Sequence, residues 1–235
     1  MTTVTQAPHR ASIGRLIGVL ALLLAIIGLF SYGAFVVAAP FGWLAHPQSR
    51  VAVFLGGAII GELAAFGALI WLLRRRGLSL RALGLGRRTN WRGVVVALLV
   101  AGVYCAVTAR NPAVGSHLLE YIPLKLLAVV AALVAGLVEE TIFRGYVMTT
   151  LETMRRRPVT QVVVSGVCFA IAHFYAFVSP LTLLVTFGMT FALGAGLAVA
   201  YLVGNRSLTP AIIGHALVDL VIEPWLLLGF FTGAL

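Results

Sequence analysis

Two adjacent acids, Glu139 and Glu140, interrupt a long apolar stretch and are followed by Arg144. Placing a charged side chain at the centre of a bilayer costs at least ~2.5–3.5 kcal/mol, so ionisable residues in such a stretch indicate a functional site. Residues four apart share one face of a helix, which predicts an ion pair between Glu140 and Arg144. Glu139 points about 100° away from Glu140, so its carboxylate stays available as a general base.

Two histidines in later apolar segments extend this pattern. His173 ends the motif F-A-I-A-H, and His215 lies four residues before Asp219 on the same predicted helix face. Each polar group in hydrocarbon needs a partner, so we expect Glu139, His173, His215 and Asp219 to converge on one site. Such a set is suited to activating water, either directly or on a divalent metal such as zinc that the same four residues would hold.

Covalent catalysis is less well supported by the sequence. Ser165 and Cys168 lie in the same segment as His173, but neither is four residues away from it. The nucleophile elbow and the H-E-x-x-H zinc motif are both missing from the sequence. The sequence therefore favours hydrolysis by an activated water molecule.

Two more acids lie within apolar segments. Glu62 either lines the same cavity or bonds to a neighbouring helix. Glu223 continues the four-residue spacing from His215 and Asp219, which suggests a supporting role at the site.

Membrane helices must position these residues, because 61% of the 235 residues are hydrophobic and only 10% are charged. A spanning helix needs ~20 apolar residues. The sequence predicts an all-α, polytopic membrane helix bundle of about seven (six to eight) transmembrane helices around an intramembrane catalytic cavity. We expect one membrane domain over 1–235, with a motif-bearing catalytic core over 122–222. The predicted segments are 14–39, 51–73, 93–109, 122–148, 160–178, 181–203 and 209–232.

The basic residues predict the orientation in the membrane. Lys and Arg outnumber Asp and Glu by 17 to 7, and they cluster at the ends of apolar segments, so nucleic-acid binding is not expected. The positive-inside rule predicts a multi-pass protein of the cell membrane with a cytoplasmic N-terminus. Loop 74–92, which is rich in arginine, is expected to contact anionic lipid head groups, or alternatively to recruit substrate. The arginines predicted on the cytoplasmic side are Arg10, Arg15, Arg74, Arg75, Arg76, Arg81, Arg87, Arg88, Arg92, Arg155, Arg156, Arg157 and Arg206.

The motifs E-E-x-x-x-R from Glu139, F-x-x-x-H ending at His173 and H-x-x-x-D from His215 occur in this order in late segments. Together they resemble the motifs of the CPBP family of intramembrane proteases. That family includes the type II CAAX prenyl endopeptidases and bacterial abortive-infection-like and bacteriocin-immunity proteins. The resemblance covers roughly residues 122–222.

The resemblance implies that Glu139 activates the attacking water and that His173 positions or polarises it. It also implies that His215 and Asp219 stabilise the oxyanion or help to bind a metal. Many family members carry Asn at the position of Asp219. An amide can donate a hydrogen bond to an oxyanion, whereas an ionised Asp is better suited to orienting His215 or binding a cation. Both metal-dependent and metal-free water activation stay open.

The resulting prediction is an intramembrane endopeptidase. Its expected partners are membrane lipids and a peptide or lipidated-protein substrate that is membrane-proximal or lipid-anchored, with CAAX-type prenylation as one form. A proton-coupled transporter is an alternative, because buried histidines and carboxylates also build proton relays. A non-catalytic membrane immunity or scaffold protein is another.

Overall fold

The computed structural model describes residues 12–118, 123–173 and 180–233, and every regular element in these ranges is helical. A π-helical segment, Thr141–Val147, joins α5 to α6, and short 3₁₀ turns cover Ala39–Phe41 and Leu80–Leu83. The α-helices are α1 Ile13–Ala38, α2 Pro47–Arg74, α3 Trp91–Thr108, α4 Pro112–Gly115, α5 Leu124–Glu140, α6 Met148–Thr153, α7 Pro158–Ala172, α8 Pro180–Val203 and α9 Thr209–Thr232.

Six helical stretches in the described ranges are long and apolar enough to cross a bilayer. This result confirms the all-α, polytopic membrane architecture. The predicted segment 160–178 is present as the shorter apolar helix α7, which ends at Ala172. At ~1.5 Å per residue, its 15 residues extend for ~22 Å, which is less than the ~30 Å hydrocarbon core. Residues 174–179 of the predicted segment lie outside the described ranges.

The helix that carries the two adjacent acids is longer than predicted. It is helical without a break from Leu124 to Thr153, whereas the sequence predicts an end at residue 148. Polar residues replace apolar ones at that point, but polarity alone does not stop a helix. The helix ends where Arg155 adopts a left-handed conformation with φ 57°, shortly before Pro158 starts α7.

Close helix contacts set the position of the later motifs. A Cβ atom added to Gly136 of α5 would lie 3.1 Å from the Cβ atom of Ala216 of α9. The absence of a side chain therefore lets α5 and α9 pack closely, one turn before Glu140 and next to His215. Similarly, Gly57 and Gly61 hold α2 against the backbone of α1, where added Cβ atoms would lie 2.6 Å and 2.9 Å from carbonyl oxygens.

The loops that follow α2, α6 and α8 lie at one end of the bundle. The hydroxyl groups of Thr89 and Ser207 are 2.7 Å apart, which joins the first loop to the third. Arg206 in the third loop contacts Glu152 of α6 at 3.1 Å and donates a hydrogen bond to Gln161 of α7 at 3.0 Å. The arginine-rich loops that the sequence places on the cytoplasmic side thus share one end of the molecule.

Candidate active site

One cavity of about 560 Å³ opens between α1, α2, α3, α5, α7, α8 and α9. Glu139, His173, His215 and Asp219 all line it, as the sequence predicts. They come from α5, the end of α7 and α9. Three separate motifs therefore meet at one place in the described part of the molecule.

Glu140 lies behind the cavity wall at the centre of a buried hydrogen-bonded cluster, in which its Oε2 atom and Arg144 Nε make no hydrogen bond to the described residues. Its Oε1 atom accepts hydrogen bonds from Arg144 Nη1 at 2.6 Å and from His215 Nδ1 at 2.7 Å. The side chains of Glu140 and Arg144 are 0% exposed. The ion pair that the sequence predicts is present, and it is joined by a bond to His215 that the sequence does not predict.

Arg144 extends this cluster to α7 and α8. Its Nη2 atom donates a hydrogen bond to the carbonyl oxygen of Gly194 at 2.7 Å, and its guanidinium lies 4.6 Å from the centre of the Phe169 ring. Phe169 also meets the ring of His215 edge to face, with centroids 5.3 Å apart. A Cβ atom on Gly194 would lie 3.0 Å from Phe169, so glycine at this position keeps the ring and the carbonyl close to Arg144. A desolvated cation–π contact contributes about 2 kcal/mol.

Arg144 lies in the π-helical segment Thr141–Val147, which follows directly after the two acids. All seven residues of this segment are buried. π-Helical turns are rare and occur frequently at functional sites. No motif in the sequence predicts this segment.

Glu139 and His173 form a more open pair. Glu139 Oε2 lies 3.8 Å from His173 Nε2, which is too far for a direct hydrogen bond. Nδ1 of His173 donates to the carbonyl oxygen of Phe169 at 2.8 Å, which leaves Nε2 as the basic nitrogen facing Glu139. Glu139 Oε2 makes no hydrogen bond within the described residues. That atom is buried, but the Glu139 side chain as a whole is 15% exposed and lines the cavity, so a water molecule in the cavity can approach Glu139 and His173 together.

His215 lies between two carboxylates. Nδ1 donates to Glu140, and Nε2 lies 3.3 Å from Asp219 Oδ2, one helical turn further along α9. The doubly protonated imidazolium satisfies both contacts, and its Nε2–H is on the side where Asp219 lines the cavity. This arrangement is suited to donating a hydrogen bond to an oxygen that becomes negatively charged.

The four predicted zinc ligands do not fit a preformed metal centre. No group of three or more His, Cys, Asp or Glu side chains in the described ranges is placed to hold one ion. Glu139 pairs with His173, while His215 is bonded to Glu140 on one side and faces Asp219 on the other. A zinc cofactor therefore stays a prediction.

The remaining candidates of the sequence divide into two groups. Ser165 donates its hydroxyl to the carbonyl oxygen of Phe143 at 3.1 Å, and neither Ser165 nor Cys168 is among the described residues that line the cavity. Glu62 and Glu223, in contrast, both line it. The four-residue spacing from His215 predicts that Glu223 lines the cavity. For Glu62, the only such signal in the sequence is an acidic residue within an apolar segment.

Comparison with known proteins identifies the same part of the chain. Residues 121–221, somewhat less than half of the sequence, match the family model described as Type II CAAX prenyl endopeptidase Rce1-like. The matched range includes all of the motif residues from Glu139 to Asp219. No curated protein and no solved structure shows a significant match. The family match confirms the resemblance that the three motifs indicate.

Proposed function

We propose that this multi-pass membrane protein is an endopeptidase in which Glu139 activates water. The premise is that residues 121–221 carry the domain of the CPBP-family intramembrane proteases. The observation that carries the proposal is the contrast in bonding between the two adjacent acids. Oε1 of the buried Glu140 accepts two hydrogen bonds, from Arg144 and His215, whereas Glu139 lines the cavity with His173 3.8 Å away. A hydrolytic water held in the cavity beside this pair would contact both side chains.

In the proposed reaction, water attacks the carbonyl carbon of the substrate peptide. Glu139 accepts a proton from the water as the new C–O bond forms, and His173 Nε2 orients the second water hydrogen. The electron pair of the carbonyl double bond moves to its oxygen, which replaces Asp219 as the acceptor of the hydrogen bond from Nε2–H of His215. When the C–N bond breaks, the leaving amine takes the proton held by Glu139.

Glu140 and Arg144 act as positioning residues in this scheme. They hold the His215 ring through its Nδ1 atom, on the side away from the cavity. Asp219 holds the same ring from the other side, through Nε2. The proposed oxyanion donor is therefore fixed before substrate binds, and such preorganisation is a large part of electrostatic catalysis.

The surroundings of the cavity support a membrane-embedded or lipid-anchored substrate. The cavity lies between helices that are long and apolar enough to span a bilayer, and aromatic side chains of α1, α2 and α9 form part of its wall: Tyr32, Phe54 and Phe230. A peptide that carries an apolar anchor, such as a prenylated CAAX-type C-terminus, is suited to this wall. The shared end of the arginine-rich loops supports a cytoplasmic N-terminus through the positive-inside rule.

Cleavage of a farnesylated peptide and of the same peptide without its lipid, measured in liposomes, tests this proposal. Glu139→Gln should lower kcat by about 10²–10⁴-fold, the usual contribution of a general base, and His173→Ala should also reduce it. Glu152→Gln is the matched control, since this acid is 48% exposed and pairs with Arg206 at the end of the bundle. Full activity of purified Glu139→Gln protein would contradict the mechanism. Proton-coupled flux without peptide cleavage would favour the transporter alternative.

A further inference from the structure

The acidic residues of this basic protein are concentrated at one place. Four of its seven Asp and Glu residues line the cavity, although Lys and Arg outnumber acids by 17 to 7 over the whole chain. The described lining residues include no Lys or Arg. The four acids are Glu62, Glu139, Asp219 and Glu223.

Only two of these four acids have a basic partner. Glu139 faces His173, and Asp219 faces His215. Glu62 and Glu223 make no hydrogen bond or ion pair within the described residues. Glu62 is only 5% exposed, and its Oε2 atom is buried without a hydrogen-bond partner.

Packing directs Glu62 into the cavity. Gly57 and Gly61 hold one face of α2 against α1. The neighbouring face, with residues at four-residue spacing, lines the cavity: Phe54, Ala58 and Glu62. Glu139 and Glu223 line the same cavity.

Unpaired carboxyl groups in a largely apolar, membrane-embedded cavity are costly to ionise, and a bound cation offsets this cost. We propose that Glu62 and Glu223 form a subsite that binds the Lys or Arg side chain of the substrate peptide. This inference rests on the proposed peptidase function, because it names the substrate feature that the same cavity selects.

The position of the subsite restricts where the basic residue lies in the substrate. Glu223 is four residues after Asp219 on α9, which is ~6 Å along the helix axis at ~1.5 Å per residue. An extended peptide advances ~3.3–3.6 Å per residue. The basic side chain should therefore lie within about three residues of the bond that is cut.

A peptide series tests the subsite. Each of the three positions on either side of the cleaved bond carries Lys, norleucine or Glu in turn, and kcat/KM is measured in liposomes. At one position the wild type should prefer Lys over norleucine by roughly 10–100-fold, as expected for hydrogen bonds to a charged group. Glu62→Gln or Glu223→Gln should bring this ratio close to one, whereas Glu152→Gln should leave it unchanged.

Binding to a Glu139→Gln protein separates this proposal from that of the peptidase. The affinities of the Lys and norleucine peptides are compared in that variant with and without Glu62→Gln. A Lys preference in binding that disappears with Glu62→Gln supports the subsite even if the wild type cleaves no peptide. Equal affinity and equal kcat/KM of Lys and norleucine peptides at every position would overturn it, as would a preference that survives both Glu62→Gln and Glu223→Gln.

Discussion

Glu139 and Glu140 are neighbours in the sequence, and each has a buried Oε2 atom without a hydrogen bond in the described structure, but their other contacts differ. Glu140 is 0% exposed and accepts hydrogen bonds from Arg144 and His215. Glu139 is 15% exposed, lines the cavity and leaves its Oε2 atom without a hydrogen bond in the described structure. A rotation of about 100° along one helix is enough to separate a structural carboxylate from one that faces the cavity.

The same contrast extends to the groups around each acid. The Glu140 cluster connects α5, the π-helical segment, α8 and α9 through short hydrogen bonds. The Glu139 pair has a 3.8 Å separation from His173 and no direct bond across it. A rigid cluster beside an open pair gives the site fixed donors together with room for a reacting molecule.

Glu140→Gln should cause the largest loss of stability, and this loss should distinguish Glu140 from Glu139. Removing this charge leaves Arg144 buried without its counter-ion, and breaking a buried ion pair costs about 3–5 kcal/mol of stability. Glu139→Gln should leave stability unchanged or increase it, because a neutral amide replaces a carboxylate whose contact with His173 is 3.8 Å long. Thermal unfolding of both variants in the same detergent measures the difference.

A double variant provides the control for this prediction. Glu140→Gln combined with Arg144→Gln removes both charges, so part of the lost stability should return relative to Glu140→Gln alone. Equal melting temperatures for the Glu139→Gln and Glu140→Gln proteins would remove the distinction between the two carboxylates.

Phe169→Leu should lower stability by a smaller amount. It removes the aromatic ring that contacts both Arg144 and the ring of His215. Leucine keeps most of the apolar volume but loses the cation–π contact with Arg144, at a cost of about 2 kcal/mol. Phe143→Leu is the matched control, because Phe143 is also fully buried but has no cation over its ring in the described structure. A decrease in melting temperature that is equal in both variants would mean that packing alone accounts for the role of Phe169.

Asp219→Asn should have the smallest effect on kcat/KM. It tests what the contact between Asp219 and His215 Nε2 contributes to the reaction. The amide oxygen of Asn can still accept from Nε2–H of His215, and its NH₂ group can donate to the oxyanion, so kcat/KM should stay within about tenfold of the wild type. Asp219→Ala removes both contacts and should lose about 10²–10³-fold. If Asn and Ala are equally impaired, the negative charge of Asp219 is what the reaction needs.

The sequence predicts the features of this protein that depend on local patterns. Apolar stretches and prolines place most helix ends within a few residues, and α9 has the predicted bounds of 209–232. The pair of Glu140 and Arg144 follows from spacing along one helix. In these cases the relevant partners lie within one or two helical turns of each other.

Contacts between distant segments could not be predicted in the same way. The bond from His215 to Glu140 joins residues 75 positions apart, and the bond from Arg144 to Gly194 joins residues 50 positions apart. Both depend on how helices rotate and approach each other, which the glycine contacts decide. The cavity position of Glu62 depends on the packing of α2 against α1 in the same manner.

The π-helical segment Thr141–Val147 has a consequence for changes in chain length. Its i to i+5 hydrogen bonding closes a loop that is one residue longer than the i to i+4 loop of an α-helix. A one-residue deletion after Arg144 can return the turn to α geometry with α5, Arg144 and α6 in place, whereas a deletion in the middle of α5 turns Glu139 by about 100° relative to the helix start. The long helix can therefore absorb the loss of a residue between Arg144 and α6.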